Sequence, residues 1–114
     1  MITRKNEMTA DVKKEMRGGP GEAVLTGLSP ALPNHMRLFS TITLKPGCGI
    51  GYHVHENETE LFYFISGTGR VQDDDQTLDV AAGDSMTTPS GHGHSVTNTG
   101  DVDLVFAAVI VTEA

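Results

Sequence analysis

The fold is decided by residues 47–67, which read GCGIGYHVHENETELFYFISG. His53 and His55 are separated by one residue, and the two-residue period of a strand points both imidazoles to the same face. A polar run follows, and a chain reversal within it would bring Glu60 beside the two histidines from the next strand of a hairpin. The stretch therefore predicts three metal ligands on two neighbouring strands.

A fourth ligand is predicted downstream, behind a glycine-rich loop. Residues 89–93 read PSGHG, and His94 follows them directly. Glycine permits the backbone conformations that let a chain re-enter a barrel closely. Three imidazoles and one carboxylate form a nitrogen-rich site, which suits one divalent ion of Mn, Fe, Co, Ni, Cu or Zn and suits Ca²⁺ or Mg²⁺ poorly. The protein ligands alone do not select among these transition metals.

Two spaced motifs in this region match those of a known family. Residues 47–67 follow the pattern G-x5-H-x-H-x4-E-x6-G. Residues 83–98 follow G-x5-P-x-G-x2-H-x3-N, with the specified positions filled by Gly83, Pro89, Gly91, His94 and Asn98. At roughly one residue in twenty for each type, chance does not produce this agreement. The pair of motifs resembles the cupin superfamily.

The resemblance implies an all-β fold, the double-stranded β-helix or jelly-roll barrel of roughly six to eight strands, with a metal inside it near one end. By that similarity the four ligand positions are those of His53, His55, Glu60 and His94. Small members of the family are commonly homodimers. We expect the leading arm with residues 23–28 to add a strand to a partner's sheet and cover its edge.

The spacing of turn-forming residues along the rest of the chain agrees with a strand-rich barrel. Short apolar or alternating runs are separated by Gly, Pro, Asn and Asp, which is typical of antiparallel sheets. The runs are Ala23–Leu28, Met36–Leu44, Ile50–His55, Glu60–Ser66, Gly69–Gln72, Gln76–Val80, Ser85–Thr88, His94–Asn98 and Leu104–Val111.

The length predicts one domain over residues 1–114, with residues 1–34 as an N-terminal arm and first strand and residues 35–114 as the barrel core. The first seventeen residues are charged and end in the breaker cluster Gly18-Gly19-Pro20-Gly21. Met8, Val12 and Met16 recur every four residues, which favours a short helix. A disordered or extended tail is the alternative, and the sequence leaves both open.

Composition excludes several classes of function. The net charge of −7 repels phosphate backbones, and five of the eight cations lie in the first seventeen residues, so nucleic acid is a poor partner. The longest apolar run, residues 104–111, is too short to cross a bilayer, so no membrane span is predicted. The single cysteine, Cys48, and the absence of a signal-peptide pattern favour a cytoplasmic location.

Strand alternation also predicts a substrate pocket beside the metal. Counting from Glu60 places Phe62 and Phe64 on the ligand-bearing face, and the glycines that precede His53 share that face. Aromatic walls and small residues near a metal favour an apolar or planar organic ligand. His92, on the loop, either stays solvated or leans toward the metal as a pocket residue.

Four protein ligands leave up to two positions on an octahedral ion, where a small molecule can bind. The leading hypothesis is therefore a metal-dependent enzyme that acts on a small organic molecule in a dioxygenase-like or other oxidoreductase reaction, with Glu60 detaching to serve as catalytic base. A sugar isomerase of the phosphosugar type is an alternative, but the core offers only Arg37, Lys45 and Arg70 to hold a phosphate. A non-catalytic protein is the third hypothesis, either a small-molecule or sugar binder or a structural protein whose ion only fixes the fold.

Overall fold

The computed structural model describes residues 1–113 and consists of ten β-strands joined by turns and loops. Two short 3-10 turns, Lys5–Glu7 and Met16–Gly18, interrupt the arm. No helix in the described residues is long and apolar enough to span a membrane. The strands are β1 (Ala10–Lys14), β2 (Glu22–Gly27), β3 (Met36–Leu44), β4 (Gly49–Val54), β5 (Glu58–Ser66), β6 (Thr68–Asp73), β7 (Gln76–Ala81), β8 (Ser85–Thr88), β9 (Gly93–Asn98) and β10 (Leu104–Thr112).

The strands form two antiparallel sheets. Six strands pair in the order β1-β2-β3-β10-β5-β8, and four pair in the order β4-β9-β6-β7. The sheets face each other across a shared core to which both contribute, so the predicted jelly-roll barrel is confirmed. Each of the nine predicted strand runs is present, with ends that lie within two residues of the prediction.

Period-two alternation explains which side chains fill the barrel. Along β5, Phe62 and Phe64 are buried while Leu61 and Tyr63 face outward. Alternate residues of β10 are buried in the same way, and Phe106 lies directly opposite Phe64 in the strand register. The aromatic rings of this pair are 5.3 Å apart between centroids, in the apolar part of the core.

The arm differs from the helical alternative, which is wrong. Residues 10–14 form β1, which pairs antiparallel with β2 of the same chain and places Val12 opposite Val24. The edge of β2 has backbone N–H and C=O groups that need hydrogen-bond partners, and pairing with them outweighs the helical tendency of the four-residue apolar spacing. Residues 1–34 thus hold two strands instead of one, and both are paired within the chain.

At the breaker cluster, residues 18–21, the arm passes over β4. The turn Met16–Gly18 packs on β4, and the amide of Gly49 donates a hydrogen bond of 2.9 Å to the carbonyl of Pro20. A Cβ atom at Gly51 would lie 2.1 Å from the carbonyl oxygen of Arg17, so this crossing requires a glycine there. Arg17 itself has the left-handed backbone φ of 54°, which is strained for a residue with a side chain.

Candidate metal centre

The four predicted ligands converge between the two sheets. His53 on β4 lies opposite His94 on β9 in the four-stranded sheet. His55 follows β4 directly, and Glu60 comes from β5 of the six-stranded sheet. The predicted β4–β5 hairpin is wrong, because the two strands belong to different sheets and residues 55–57 connect one sheet to the other. The connection still delivers the carboxylate, from the facing wall of the barrel.

Their ligand atoms point at one small volume. The Nε2 atom of His94 lies 3.1 Å from Nε2 of His55 and 3.2 Å from Nε2 of His53. The Oε1 atom of Glu60 lies 2.9 Å from Nε2 of His55 and 3.0 Å from Nε2 of His94. One ligand atom from each of the four residues lies within 4.8 Å of all the others. These residues can therefore hold a single metal ion.

The other nitrogen of each imidazole is already bound. Nδ1 of His53 donates to the carbonyl of Gly51 at 2.8 Å, and Nδ1 of His55 donates to Oε2 of Glu58 at 2.6 Å. Both partners only accept, so these Nδ1 atoms carry the protons and the Nε2 atoms present lone pairs. Nδ1 of His94 lies 2.7 Å from Oγ1 of Thr88, which accepts in the same tautomer.

Three lone pairs and a carboxylate oxygen at such short separations repel one another unless a cation lies among them. The centre is also largely dry, because His55, Glu60 and His94 are buried, with exposed fractions of 3%, 5% and 1%. His53 is the half-buried member, and burial lowers the pKa of its imidazole, which favours the neutral form that ligates metals. The chemistry of the donor set thus fits a divalent transition metal.

A charged pair supports the centre from behind. The guanidinium of Arg37 donates to both carboxylate oxygens of Glu58, at 2.7 and 2.6 Å. This hydrogen bonding lowers the pKa of Glu58 to about 2. Glu58 is therefore a firm acceptor for Nδ1 of His55, and the relay from Arg37 to the imidazole fixes the orientation of a buried ligand.

A cavity of about 120 Å³ adjoins the cluster. Phe62 forms part of its wall and stacks on the ring of His94, with centroids 5.0 Å apart. Most of the remaining wall is aliphatic, and two arginines, Arg17 and Arg37, are the cationic side chains that line it among the described residues. The cavity therefore joins an apolar wall to Arg17 and to Arg37, the second of which is paired with Glu58.

Of the three predicted pocket residues, the structure places only Phe62 at this cavity. Phe64 lies one inward position further along β5, in the apolar core against Phe106. His92 is exposed on the β8–β9 loop, where its Nδ1 atom is 2.5 Å from Oδ2 of Asp74. That hydrogen bond raises the pKa of His92, which faces solvent and not the cluster.

Sequence reasoning missed the residues that surround the ligands. Arg17 reaches the cavity from the arm, which carried no motif, and Thr88 reaches His94 across the barrel. Glu58 had a usable signal: it stands three residues after His55 and inside the same polar run. A carboxylate that close to a ligating histidine is a candidate partner for its second nitrogen.

Comparisons with known proteins agree with this geometry. Residues 40–111 match the family model described as "Cupin domain". The chain is 41% identical over 113 residues to the oxalate-binding protein of Thermotoga maritima, covering 97% of this chain and 93% of that protein. The crystal structure of a predicted oxalate decarboxylase from the same organism matches with a TM-score of 0.91 and 39% identity, over 98% and 99% of the two chains. That of a sugar phosphate isomerase, named as putative, from Acidithiobacillus ferrooxidans matches with a TM-score of 0.82 and 27% identity, over 96% and 74%.

Proposed function

The chain belongs to the cupin family, and from this premise we propose that it binds a small dicarboxylate of the oxalate class at a divalent transition metal. His53, His55, Glu60 and His94 would hold the ion. The observation that carries the proposal is the convergence of three imidazole Nε2 atoms whose Nδ1 atoms are all occupied. When bound, the ion supplies a Lewis acid with up to two positions left for the oxygens of a ligand.

The size of the cavity favours a very small ligand. With about 120 Å³, the cavity is smaller than the roughly 300–1,000 Å³ of typical small-molecule pockets. A two-carbon dicarboxylate has six non-hydrogen atoms, two of which would sit at the ion. A phosphosugar is far larger, and the guanidinium of Arg37 is already engaged by Glu58. We therefore rank the sugar isomerase below the dicarboxylate binder.

The charge at the cavity favours an anion. The chain as a whole carries −7, yet its cavity is lined by Arg17 and Arg37. Burial and then the neighbouring His94 and His55 lower the pKa of His53, and the positive charge of Arg17, which lines the same cavity, acts in the same direction. Because Arg37 is paired with Glu58, Arg17 is the arginine of this cavity that we expect to attract a carboxylate, which the rest of the surface repels. The printed name of the Thermotoga relative points to the same ligand class.

Catalysis is the finer part of the proposal. Among the described residues that line the cavity, Glu60 is the carboxylate and there is no Lys, Tyr or Cys. We propose Glu60 as the base, which requires its carboxylate to detach from the ion before it takes a proton. The reaction we propose is the decarboxylation of bound hydrogen oxalate to CO₂ and formate, in which the acid proton moves to the formate carbon. The alternative is its oxidation by dioxygen, with one further proton from solvent, to two CO₂ and hydrogen peroxide.

Calorimetry tests the binding proposal directly. Protein stripped with a chelator and reloaded with Mn²⁺, Co²⁺ or Zn²⁺ is titrated with oxalate, and acetate serves as the single-carboxylate control. We expect oxalate to bind only to the loaded protein and at least about tenfold more tightly than acetate, because two oxygens can reach the ion. Equal binding with and without metal contradicts the proposal. Oxygen uptake and CO₂ release on the same samples then test whether the bound acid reacts.

The charge of the chain also bears on macromolecular partners. We propose no nucleic-acid or membrane partner, since the net charge is −7 and the cationic residues near the centre serve the cavity. Cys48 is a free cysteine, as expected in a reducing compartment, and a cytoplasmic location stays our prediction.

A further inference from the structure

The cavity beside the metal centre has two sides of different chemistry. One side carries the four ligand residues and the arginines, and the other is formed by aliphatic side chains from both sheets. We call these side chains the aliphatic wall; they are Leu25, Leu38, Ile42, Ile50, Val96 and Ile110. Oxalate carries four oxygens on two carbons and has no apolar part. A ligand of that kind therefore makes no use of this side of the cavity.

Strand register places the aliphatic wall directly beside the ligands. Ile110 on β10 lies opposite Glu60 on one side and opposite Leu38 on the other, so one row across the six-stranded sheet holds a metal ligand and two aliphatic residues. On the four-stranded sheet, Val96 is the next inward residue of β9 after His94. Cross-strand neighbours have Cβ atoms about 5 Å apart. A molecule bound at the centre thus reaches the wall with its first one or two carbons.

The aliphatic wall gives an oxygen atom nothing to bind. Its side chains carry no hydrogen-bonding group, and Ser95, which also lines the cavity, stands between two inward residues of β9, so strand alternation turns its hydroxyl away. A carboxylate oxygen facing the wall would lose its water without replacement. Each CH₂ group buried there instead strengthens binding by about fourfold. The wall therefore favours an alkyl group over a second carboxylate.

We propose that the cavity accepts a second class of ligand, the short-chain 2-oxo acids, with the alkyl chain on the aliphatic wall and the two adjacent oxygens at the ion. The inference rests on the metal centre of the proposed function. A 2-oxo acid carries an oxygen on each of two neighbouring carbons, as oxalate does, and these suit the two positions left by four protein ligands. Pyruvate has six non-hydrogen atoms, as many as oxalate, with a methyl group in place of one oxygen.

Charge and size set the limits of this ligand class. The single carboxylate of a 2-oxo acid needs one cationic partner, and Arg17 supplies it while Arg37 stays paired with Glu58. Met16 and Arg17 line the cavity from the arm, and its volume is about 120 Å³. Typical small-molecule pockets have roughly 300–1,000 Å³. We therefore expect the chain to be accepted for only about one or two carbons beyond pyruvate, and an aromatic 2-oxo acid to be excluded.

Calorimetry of the Mn²⁺-loaded protein without oxygen tests the proposal with a chain-length series. We expect the dissociation constant to fall about fourfold from pyruvate to 2-oxobutyrate, phenylpyruvate not to bind, and oxalate to compete for the same site. If oxalate binds and the 2-oxo acids show no gain with chain length, this proposal is overturned and the dicarboxylate proposal stands. If neither class binds in a metal-dependent way, both are overturned. A chain-length gain without oxalate binding supports the wall and removes the dicarboxylate.

Variants of the wall show whether these side chains cause the gain. Leu38→Ser removes an alkyl contact at a partly buried position, and Val96→Thr makes a buried position polar with little change of shape. In both, the step from pyruvate to 2-oxobutyrate should shrink from about fourfold toward none. Leu78→Ser is the matched control, because Leu78 is 47% exposed on β7 and should leave the step unchanged. Circular dichroism and metal content verify each protein. A step that is equal in wild type, Leu38→Ser and Val96→Thr overturns the proposal.

Discussion

The two ends of the barrel interior are built on the same strands and serve opposite purposes. On β5, Glu60 stands at the polar end and Phe64 at the apolar end, two inward positions apart. The polar end holds three histidines and a carboxylate with their ligand atoms in close contact. The apolar end holds side chains that are fully buried, such as Leu104 and Phe106. One end is stable by burial alone, whereas the other lacks its natural counter-charge until a cation binds.

Phe62 marks the boundary between these ends. Its ring stacks on His94 on one side and lies 4.7 Å from the ring of Phe106 on the other. An apolar wall beside a ligand cluster lowers the local dielectric and strengthens interactions of charge with charge. Stability and metal binding are therefore expected to respond to different substitutions, one set at each end of the barrel.

Leu104→Ala is expected to have the largest effect on stability. Leu104 is fully buried, and removing its side chain should lower the free energy of unfolding by about 2–5 kcal/mol, with metal or with chelator alike. Leu32→Ala is the matched control, because Leu32 is 36% exposed in the β2–β3 loop and should cost no more than about 0.5 kcal/mol. Urea unfolding measures both. A loss at Leu104 that appears only in the metal-loaded protein would show that the ends are not independent.

His94→Ala is expected to remove the stabilisation by metal. At a free metal concentration of a hundred times the dissociation constant, binding adds about 2.7 kcal/mol to the free energy of unfolding. In the variant this difference between loaded and chelated protein should vanish. The chelated variant should itself be less stable than the chelated wild type, because the buried ring packs on Phe62 and hydrogen-bonds Thr88. The test is therefore the difference between loaded and chelated protein within each variant. Thermal unfolding with and without EDTA measures the difference, and a metal effect that persists in the variant contradicts the assignment.

Glu58→Gln tests the support behind the polar end. The variant keeps the shape but weakens the acceptor for Nδ1 of His55 and the pairing with Arg37. Residues in this position typically change metal affinity by about 10–100-fold. Competition with a chromogenic chelator measures the affinity. Glu56→Gln is the control, because Glu56 is exposed and should leave the affinity unchanged.

The stability difference between the wild type and Glu58→Gln is expected to depend on pH. The pKa of Glu58 falls from 4.5 to about 2 in the folded protein, through its hydrogen bonds with Arg37 and then His55. The folded state therefore binds fewer protons than the unfolded state in this range, and Glu58 stabilises the fold above its ordinary pKa. That contribution is lost as the pH falls from about 4.5 toward 2. Urea unfolding of chelated protein should show the wild type and Glu58→Gln converging over this window. Curves that stay parallel would remove Glu58 from the network.

Arg17 variants carry the smallest expected effect on stability. Arg17→Gly and Arg17→Ala both remove the charge, but only glycine relieves the left-handed backbone at φ 54°. Glycine should therefore be more stable than alanine by about 1 kcal/mol. Both should bind oxalate less tightly than Arg17→Lys, which keeps the charge, while metal content stays the same. Equal oxalate affinity in all three variants would exclude Arg17 from anion binding.

The sequence predicted the inner architecture of the barrel well, for a physical reason. Spacing of one residue between His53 and His55 fixes their shared face, and alternation along β5 fixes the position of Phe62 relative to Glu60. Both are properties of one strand, so they survive whatever the strand packs against. The same reasoning correctly put Phe64 on the inner face. Alternation does not say how far along the barrel a residue lies, so it did not predict that Phe64 packs on Phe106 in the core, away from the cavity.

Features that depend on contacts between two segments distant in the sequence could not be predicted from the pattern of a single strand. The four-residue spacing of Met8, Val12 and Met16 favoured a helix, and only the free edge of β2 decides in favour of β1. Gly51 looked like space left for a ligand, whereas it accommodates the backbone of Arg17 from the arm. The short β4–β5 connection predicted a hairpin, but the two strands belong to different sheets, and strand pairing depends on the whole sheet and not on the length of one connection. Each of these errors arose where tertiary contacts override local pattern.

Metal content is the most direct test of the polar end. Elemental analysis is made on protein purified without added metal or nickel resin, for the wild type, His55→Ala and the control Cys48→Ser. The structure predicts about one divalent transition-metal ion per chain in the wild type and the control, and less than about a tenth of that in His55→Ala, which loses a buried ligand and its anchor on Glu58. Equal metal content in the wild type and His55→Ala would contradict the assignment of the centre.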